Sequence, residues 1–262
     1  MDIVRLQDRA VIEKRLRSNP GLHLYELGDL DDLFWPKTEW YTLDDHPSTP
    51  VIFIYTGPRM PVLIALEEFP SDQMKNLISL TLPLLPGTFY SHLTDELVEL
   101  FQESYRQTSR GNHVKMLLTE PAATDKRYTH GVEALTMRNL NELKDFYIRS
   151  NPINWFDPRM LETGCYFGIR SNSHLVSVAG VHIYSKRYRI GVIGNVATDP
   201  YYRGAGLATR VCAGLCRHLL TSVDTVGLNI DSTNQPALSC FRRLGFTTVG
   251  HYDEYLNTSK SS

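Results

Sequence analysis

The feature that most constrains the fold is a stretch almost bare of side chains between a strand pattern and a helix pattern. The apolar run "RIGVIGNVAT" predicts a strand, "DPYYRGAGLATR" follows it, and "GLATRVCAGLCRHLL" has Leu207, Val211, Leu215 and Leu219 at helical spacing. Glycine permits unusual φ/ψ angles and close approach of backbone amides to a ligand. At the start of a helix, such amides favour an anion such as phosphate, although a tight surface turn remains the alternative.

Strand and helix patterns alternate along the rest of the chain in two halves, which we place at residues 1–122 and 131–262. The segment "TEPAATDKRYTHG" lacks periodicity and is a candidate linker between them. This alternation predicts an α/β protein with a mixed sheet covered by helices on both faces.

In the first half, three stretches predict helices: "RAVIEKRLRS", "SDQMKNLISLTL" and "TDELVELFQESY". Five stretches predict strands: "HLYEL", "EWYTL", "PVIFIYTG", "PVLIALEEF" and "HVKMLLTE".

In the second half, "NLNELKDFYIRS", "FDPRMLE" and "QPALSCFRRL" predict further helices, the second with Asp157 as N-cap and Pro158 at its first position. "VEALTM", "TVGLNID" and "FTTVGHYDEYL" predict strands. "CYFGIRSNSHLVSVAGVHIY" predicts a hairpin that turns at Ser171, Asn172 and Ser173.

Composition excludes several classes of function. The formal net charge is −2 and no long run of like charge occurs, so nothing indicates a nucleic-acid or anionic membrane partner. The amino terminus is charged throughout and does not resemble a signal peptide, and the most apolar stretch, "LISLTLPLLP", is too short to span a bilayer. The four cysteines lack CxxC spacing, so we expect a reduced cytoplasmic protein without a metal.

Three phosphate-binding loops compete for "DPYYRGAGLATR". A Walker loop requires Gly-Lys-Ser/Thr, and the sequence contains no Gly-Lys pair. A dinucleotide fingerprint requires a third small residue where Thr209 stands, directly after a strand. The pattern Arg/Gln-x-x-Gly-x-Gly/Ala, which holds the pyrophosphate of coenzyme A, is matched by Arg203, Gly206 and Ala208.

A second motif follows in "NQPALSCFRRLGF", where Asn234, Ala237, Phe241, Gly245 and Phe246 fit Asn-x-x-Ala-x-x-x-Tyr/Phe-x-x-x-Gly-Phe. Together the two motifs resemble the GNAT superfamily of acyl-CoA-dependent N-acyltransferases, over roughly residues 131–256. Separately, Asn234 is explained by a helix cap and Ala237 by close packing.

The resemblance implies a GNAT-like fold and direct attack of a neutral amine on the thioester of acetyl-CoA. One backbone amide near Val196 would polarise the thioester carbonyl, while Asn234 and Phe241 would lie near the pantetheine and the sulfur. It implies cofactor contacts from Val196, Ala197, Thr198, Arg203, Gly204, Ala205, Gly206, Leu207, Ala208, Thr209, Asn234 and Phe241.

The chain departs from relatives such as the ribosomal-protein alanine acetyltransferases, which have a glutamate base and a tyrosine acid where this chain has Asn229 and Phe241. Neither residue can transfer a proton. With regular alternation, Asn195 would face away from Val196 and could position an amine or a water. His182 is a second catalytic candidate, with a structural hydrogen-bonded role as its alternative.

The acceptor is the least constrained part. Trp155 and Phe156 fall where this family builds its acceptor wall, and core packing is the alternative for both. Tyr184 is a further candidate to titrate or to bind substrate. Asp231 shares a face with Asn229, and its alternative role is to open the turn before Asn234. A small-molecule or peptide amine is the expected partner of a monomer or homodimer.

The first half lacks the Arg-x-x-Gly loop, yet its elements follow a similar order. It therefore resembles a degenerate copy in tandem acyltransferases of the mycothiol synthase kind. We thus expect an N-acetyltransferase with one active site, in the second half. A catalytically silent acyl-CoA-binding or regulatory module is the alternative.

Overall fold

The structure is a computed structural model that describes residues 2–44, 46, 48–57, 60–121 and 129–260. The chain forms two compact units. Unit 1 comprises Met1–Lys115, Asp231–Thr233 and Val249–Ser262; unit 2 comprises Met116–Ile230 and Asn234–Thr248. The carboxyl-terminal strand thus groups with unit 1, unlike the sequence-based division at residues 122 and 131. Most of the predicted linker, residues 122–128, lies outside the described residues.

Unit 1 is a sheet with helices. Its helices and strands are β1 Val4–Arg5, α1 Arg9–Leu16, α2 Leu24–Asp29, β2 Thr38–Thr42, β3 Ile52–Tyr55, β4 Val62–Ala65, α3 Asp72–Thr81, β5 Thr88–Leu93 and β6 Tyr105–Leu118, the last of which ends in unit 2. Short 3₁₀ helices span Trp35–Lys37, Leu82–Leu84 and Asp95–Phe101.

Unit 2 is likewise built of a sheet and helices. Its helices and strands are β7 Val132–Ala134, α4 Leu140–Ser150, β8 Phe167–Ser171, β9 His174–Ser185, β10 Ile190–Thr198, α5 Leu207–Leu219, β11 Thr225–Asp231 and α6 Gln235–Arg243. The last strand, β12 Phe246–Ser259, begins in unit 2, but its residues 249–259 group with unit 1, as does Asp231 at the end of β11. Further 3₁₀ helices span Met137–Asn139, Pro158–Thr163 and Pro200–Tyr202.

The strand order shows an internal repeat. In unit 1 the order is β1-β2-β3-β4-β5-β12-β6, and in unit 2 it is β7-β8-β9-β10-β11. The first four strands of each unit pair antiparallel where their register is defined. The next connection in each unit is a parallel crossover: α3 joins the parallel strands β4 and β5, and α5 joins the parallel strands β10 and β11. Each unit therefore presents one helix between two parallel strands.

Apolar faces of the crossover helices cover each sheet. In unit 1, Leu77 and Ile78 of α3 lie in a core with Leu63 and Phe89. In unit 2, Leu215 of α5 is fully buried. Burial of these helical stripes is the main favourable term that holds each helix on its strands.

Two predictions for the first half were wrong. "HLYEL" is not a strand, because Leu24–Asp29 forms α2. "TDELVELFQESY" forms only a 3₁₀ helix, Asp95–Phe101, before β6 begins at Tyr105. The second-half elements follow the predicted order, including Asp157, which caps a 3₁₀ helix by accepting from the Arg159 amide.

Over the residues that the structure describes, no helix is both long and apolar enough to cross a membrane. No group of three His, Cys, Asp or Glu side chains there is placed to hold a metal ion.

Candidate active site

The parallel strands β10 and β11 separate partway along their length. Their pairs run from Ile190–Thr225 to Val192–Gly227, and no later pair joins them among the described residues of unit 2. β10 nevertheless continues to Thr198. The β11-facing backbone edge of residues 193–198 is therefore left without a strand partner, as a ligand that bonds to main-chain groups would require.

Asn195 interrupts β10 with a β-bulge. Gly194 pairs with Gly180 and Ala197 with Val178, so two residues of β10 lie opposite one of β9. Asn195 has a φ of 53°, in the left-handed region that asparagine tolerates better than most residues. The regular alternation predicted for this strand is therefore wrong, and the bulge redirects the backbone that follows.

His182 occupies a second irregularity, on the neighbouring strand. Val192 pairs with Ile183 and Ile193 with Val181, which leaves His182 as the extra residue of β9. A Cβ on Gly194 would lie 2.2 Å from the His182 ring, so only glycine admits the ring there. Burial lowers the pKa of His182 to about 4, and hydrogen bonding with Asn195 opposes this shift.

Two buried tyrosines, which belong to neither sequence motif, hold the bulge. The Tyr147 hydroxyl donates to the Asn195 carbonyl oxygen at 2.6 Å. Asn195 Nδ2 donates to the Tyr166 hydroxyl at 2.9 Å, and that hydroxyl lies 3.2 Å from the Val181 carbonyl oxygen. Gly180 makes room for the second of them, because a Cβ there would lie 2.2 Å from the Tyr166 ring.

The glycine-rich loop leads from β10 into α5. Gly204 and Gly206 have φ angles of 78° and 73°, and a Cβ on either would meet no atom within 4 Å. Gly206 is the N-cap of α5, and among the described residues no side chain bonds to the first amides of this helix. Among the described residues, the first N–H groups of α5 therefore have no side-chain cap, and a Cβ-sized space is open beside Gly204 and Gly206, an arrangement that suits an anionic group.

The flanking loop residues have more ordinary surroundings. Arg203 is exposed, and its Nε donates to the Thr198 carbonyl oxygen at 3.2 Å. Ala205 is exposed, whereas Leu207 and Ala208 are partly buried in the first turn of α5. Thr209 Oγ1 lies 3.2 Å from Cys240 Sγ, which joins α5 to α6.

The second motif lies on α6. Asn234 caps this helix by accepting from the Ala237 amide at 3.2 Å, as the structural alternative predicted. Phe241 is buried and packs edge-on against Phe246. Gly245 has a φ of 93°, and a Cβ there would lie 1.6 Å from the Glu120 carbonyl oxygen, so no other residue fits.

The structure separates the acceptor-side candidates. Phe156 is buried between Tyr147 and Tyr166, whereas Trp155 is 44% exposed. The Tyr184 hydroxyl lies 2.8 Å from Ser222 Oγ. Asp231 accepts from the Thr233 amide and hydroxyl and thus opens the turn before α6.

Comparison with known proteins agrees with this geometry. Residues 133–246 match the sequence model of the acetyltransferase (GNAT) family. None of the curated proteins compared with the chain matches it at a significant level.

Solved structures resemble the chain over nearly its full length. A Drosophila protein has a TM-score of 0.73 at 13% identity, with 99% of each chain covered. A GCN5-related N-acetyltransferase from Sphaerobacter thermophilus has a TM-score of 0.59 at 12% identity, covering 98% of this chain and 95% of its own. A tandem GNAT protein from the clavulanic acid biosynthesis pathway has a TM-score of 0.59 at 11% identity, covering 100% and 99%.

At these identities the likeness concerns the fold, and the family assignment depends on the match to the sequence model. Residues 133–246 therefore belong to the acetyltransferase (GNAT) family, and the chain as a whole has the mixed α/β fold of a tandem GNAT protein.

Proposed function

We propose that the chain is an N-acetyltransferase that transfers an acetyl group from acetyl-CoA to a primary amine. The observation that carries the proposal is the continuity of an unpaired strand edge, at residues 193–198 of β10, with the uncapped start of α5. Pantetheine amides fit the first and a pyrophosphate fits the second. The family match at residues 133–246 supports acyl-CoA as the donor.

Backbone groups supply most of the proposed catalysis. Amides of Val196, Ala197 and Thr198 bind the donor and hold the charge that develops on the thioester oxygen. The amine nitrogen forms a bond to the thioester carbon, the carbon–sulfur bond breaks, and the amine proton leaves to water. A thiolate is a fair leaving group near neutral pH, so a buried Phe241 in place of an acid costs little.

The acceptor-side candidates have weak proton chemistry. Asn195 uses its side-chain amide on Tyr166, and a pKa of about 4 makes His182 a weak base at neutral pH. We therefore assign neither residue the role of general base and expect the amine to react in its neutral form.

The amino-acid composition supports a proposal for the compartment and the partners of the protein. All four cysteines are buried thiols, and the net charge is close to zero. We place the protein in the reducing cytoplasm as a monomer or homodimer. Its partner is a small-molecule or peptide amine rather than nucleic acid or a membrane.

The loop assignment is tested by Gly206→Val. A β-branched residue is strained at a φ of 73°, and its side chain would cover the amides that receive the pyrophosphate. We expect the affinity for acetyl-CoA in calorimetry to fall at least tenfold, about 1.4 kcal/mol.

Gly164→Val is the matched control, because Gly164 has a φ of 71° and also meets no atom within 4 Å of its Cβ. It carries the same backbone strain away from the loop and should bind acetyl-CoA normally. Equal affinities for the two folded variants would contradict the assignment.

A silent acyl-CoA-binding module is the second candidate, favoured by Asn229 and Phe241 where relatives transfer protons. Release of free CoA from acetyl-CoA in the presence of a pooled amine panel distinguishes the N-acetyltransferase from the silent module. Binding without any release would support the module.

A further inference from the structure

The hydroxyl of Tyr147 acts on one particular peptide unit. It donates to the Asn195 carbonyl oxygen at 2.6 Å, and the same peptide unit carries the amide N–H of Val196. A trans peptide is planar, so its N–H points opposite to its carbonyl. A hydrogen bond that fixes the direction of the Asn195 carbonyl therefore also fixes the direction of the Val196 N–H.

The other end of Asn195 is held as well. Its side-chain amide donates to Tyr166, which reaches the Val181 carbonyl on β9. Asn195 thus keeps its left-handed conformation between two tyrosine hydroxyls: that of Tyr147 bonds to its carbonyl oxygen, and that of Tyr166 bonds to its side-chain amide. The conformation of the bulge is determined from both sides.

The two tyrosines are suited to a permanent structural bond. Tyr147 is 2% exposed and Tyr166 is fully buried. Burial raises the pKa of the Tyr147 hydroxyl, so it stays protonated and remains a donor over the whole neutral range. Phe146 and Phe156 pack against the Tyr147 ring and hold it in place.

We infer that Tyr147 is a positioning residue that aims and polarises the Val196 amide toward the thioester oxygen of the bound donor, an inference that rests on the proposed function. A hydrogen bond accepted by a carbonyl strengthens the N–H of the same peptide as a donor. Asn195 and Tyr166 keep the bulge in the conformation that makes this aim possible. Asn195 is accordingly a positioning residue and does not orient the amine.

Tyr147→Phe tests the inference, because it removes the hydroxyl and leaves the ring packing. We expect turnover, measured as CoA release, to fall at least tenfold, because the Val196 amide, the proposed oxyanion donor, is no longer aimed and polarised. The affinity for acetyl-CoA should stay within about twofold, since the pyrophosphate loop is untouched. Tyr105→Phe is the control: Tyr105 is also buried and donates to a backbone carbonyl, that of Leu85.

A spectroscopic readout separates aiming from general loosening. The infrared carbonyl band of bound acetyl-CoA labelled with ¹³C at the thioester carbon reports polarisation by the amide. In Tyr147→Phe we expect the band to move toward its position in free acetyl-CoA, and in Tyr105→Phe to stay at the wild-type position. An unmoved band in Tyr147→Phe would overturn the inference and leave the proposed function standing.

Failure of the proposed function is recognised separately, as absence of acetyl-CoA binding or of turnover in the wild type. In that case, amide hydrogen exchange of residues 193–199 tests the positioning role without any ligand. Exchange should be faster than in the wild type in Tyr147→Phe and unchanged in Tyr105→Phe. If Tyr147→Phe does not fold, Tyr166→Phe loosens the same bulge through the Asn195 side chain and is measured in the same ways. Unchanged exchange in the folded variant would contradict the inference.

Discussion

At the scale of single residues, His182 and Asn195 show how two polar side chains can be held in the neighbouring strands β9 and β10 without carrying charge. Each occupies the extra position of an irregular strand. The amide of Asn195 is neutral at every pH, and burial keeps the imidazole of His182 neutral down to about pH 4. In the proposed mechanism, such neutral surroundings preserve the strength of the backbone dipoles that face the thioester.

This low pKa predicts a pH-dependent stability. The folded-state pKa of His182 is about 4, below the usual 6.5, so below pH 6.5 the unfolded chain takes up a proton that the folded chain does not. The free energy of unfolding should therefore fall as the pH falls from 6.5 to 4. From pH 7 to pH 5 the His182 contribution is about 2 kcal/mol.

Urea unfolding of the wild type and of His182→Gln at both pH values measures this contribution as a difference of differences. His174→Gln, an exposed histidine at the start of β9, is the control and should retain the wild-type pH dependence. A pH dependence that His182→Gln shares with the wild type would show that the histidine is not buried in its neutral form.

At the scale of elements, the length of each pattern decided what the sequence could predict. The stripe of α5 spans four turns, and it predicted the helix and the loop before it. The five residues of "HLYEL" are too few to show a period, and Leu24–Asp29 forms α2 because Leu24 and Leu27, three apart, are buried on one helix face. A window this short cannot distinguish the two periods.

The two irregularities of β9 and β10 could not be predicted, for a different reason. Periodicity assumes regular pairing, whereas the bulge at Asn195 is held by two tyrosines far away in the sequence. The His182 ring fits only because Gly194, on the neighbouring strand, has no side chain. The motif residues of the loop can be recognised in the sequence because their pattern is local to one turn, and their role in binding stays a prediction. Tyr147 and Tyr166 could not, because they look like ordinary core aromatics.

The Tyr166 ring packs against β9 at Gly180, where the strand has no side chain. A Cβ in Gly180→Ala would lie 2.2 Å from the Tyr166 ring, so the ring must move and its hydroxyl must leave Asn195 and Val181. We expect a loss of about 1–3 kcal/mol in the free energy of unfolding, measured in urea.

Gly191→Ala, on the adjacent strand, is the matched control. Its nearest neighbours are the ends of the Leu219 side chain, at 3.2 and 3.3 Å, which can give way. Its loss should be below about 1 kcal/mol. Equal losses in the two variants would show that Tyr166 adapts and does not fix the strand.

At the scale of the whole molecule, the two units repeat one topology but differ at the place where a cofactor would bind. In unit 1, β4 stays paired with β5 to its last residue, Ala65, so no edge opens between the parallel strands. Ser71 Oγ accepts from the Met74 amide at the start of α3, and the Glu67 carboxylate accepts from the Ser71 amide at 2.7 Å. These side chains already satisfy the helix terminus, and a carboxylate there repels phosphate.

The chain should therefore bind one acetyl-CoA, at unit 2. The sequence up to Lys115 contains no Arg-x-x-Gly-x-Gly/Ala loop, and α3 has its own caps where α5 has none among the described residues. Calorimetric titration of the full chain should give a stoichiometry near one, and Gly206→Val should remove that site without uncovering another. A stoichiometry near two would mean that unit 1 binds the donor despite its capped helix. Glu67→Gln in the same titration removes the repelling charge, and because the Ser71 cap and the closed strand pair remain, it should still give one site.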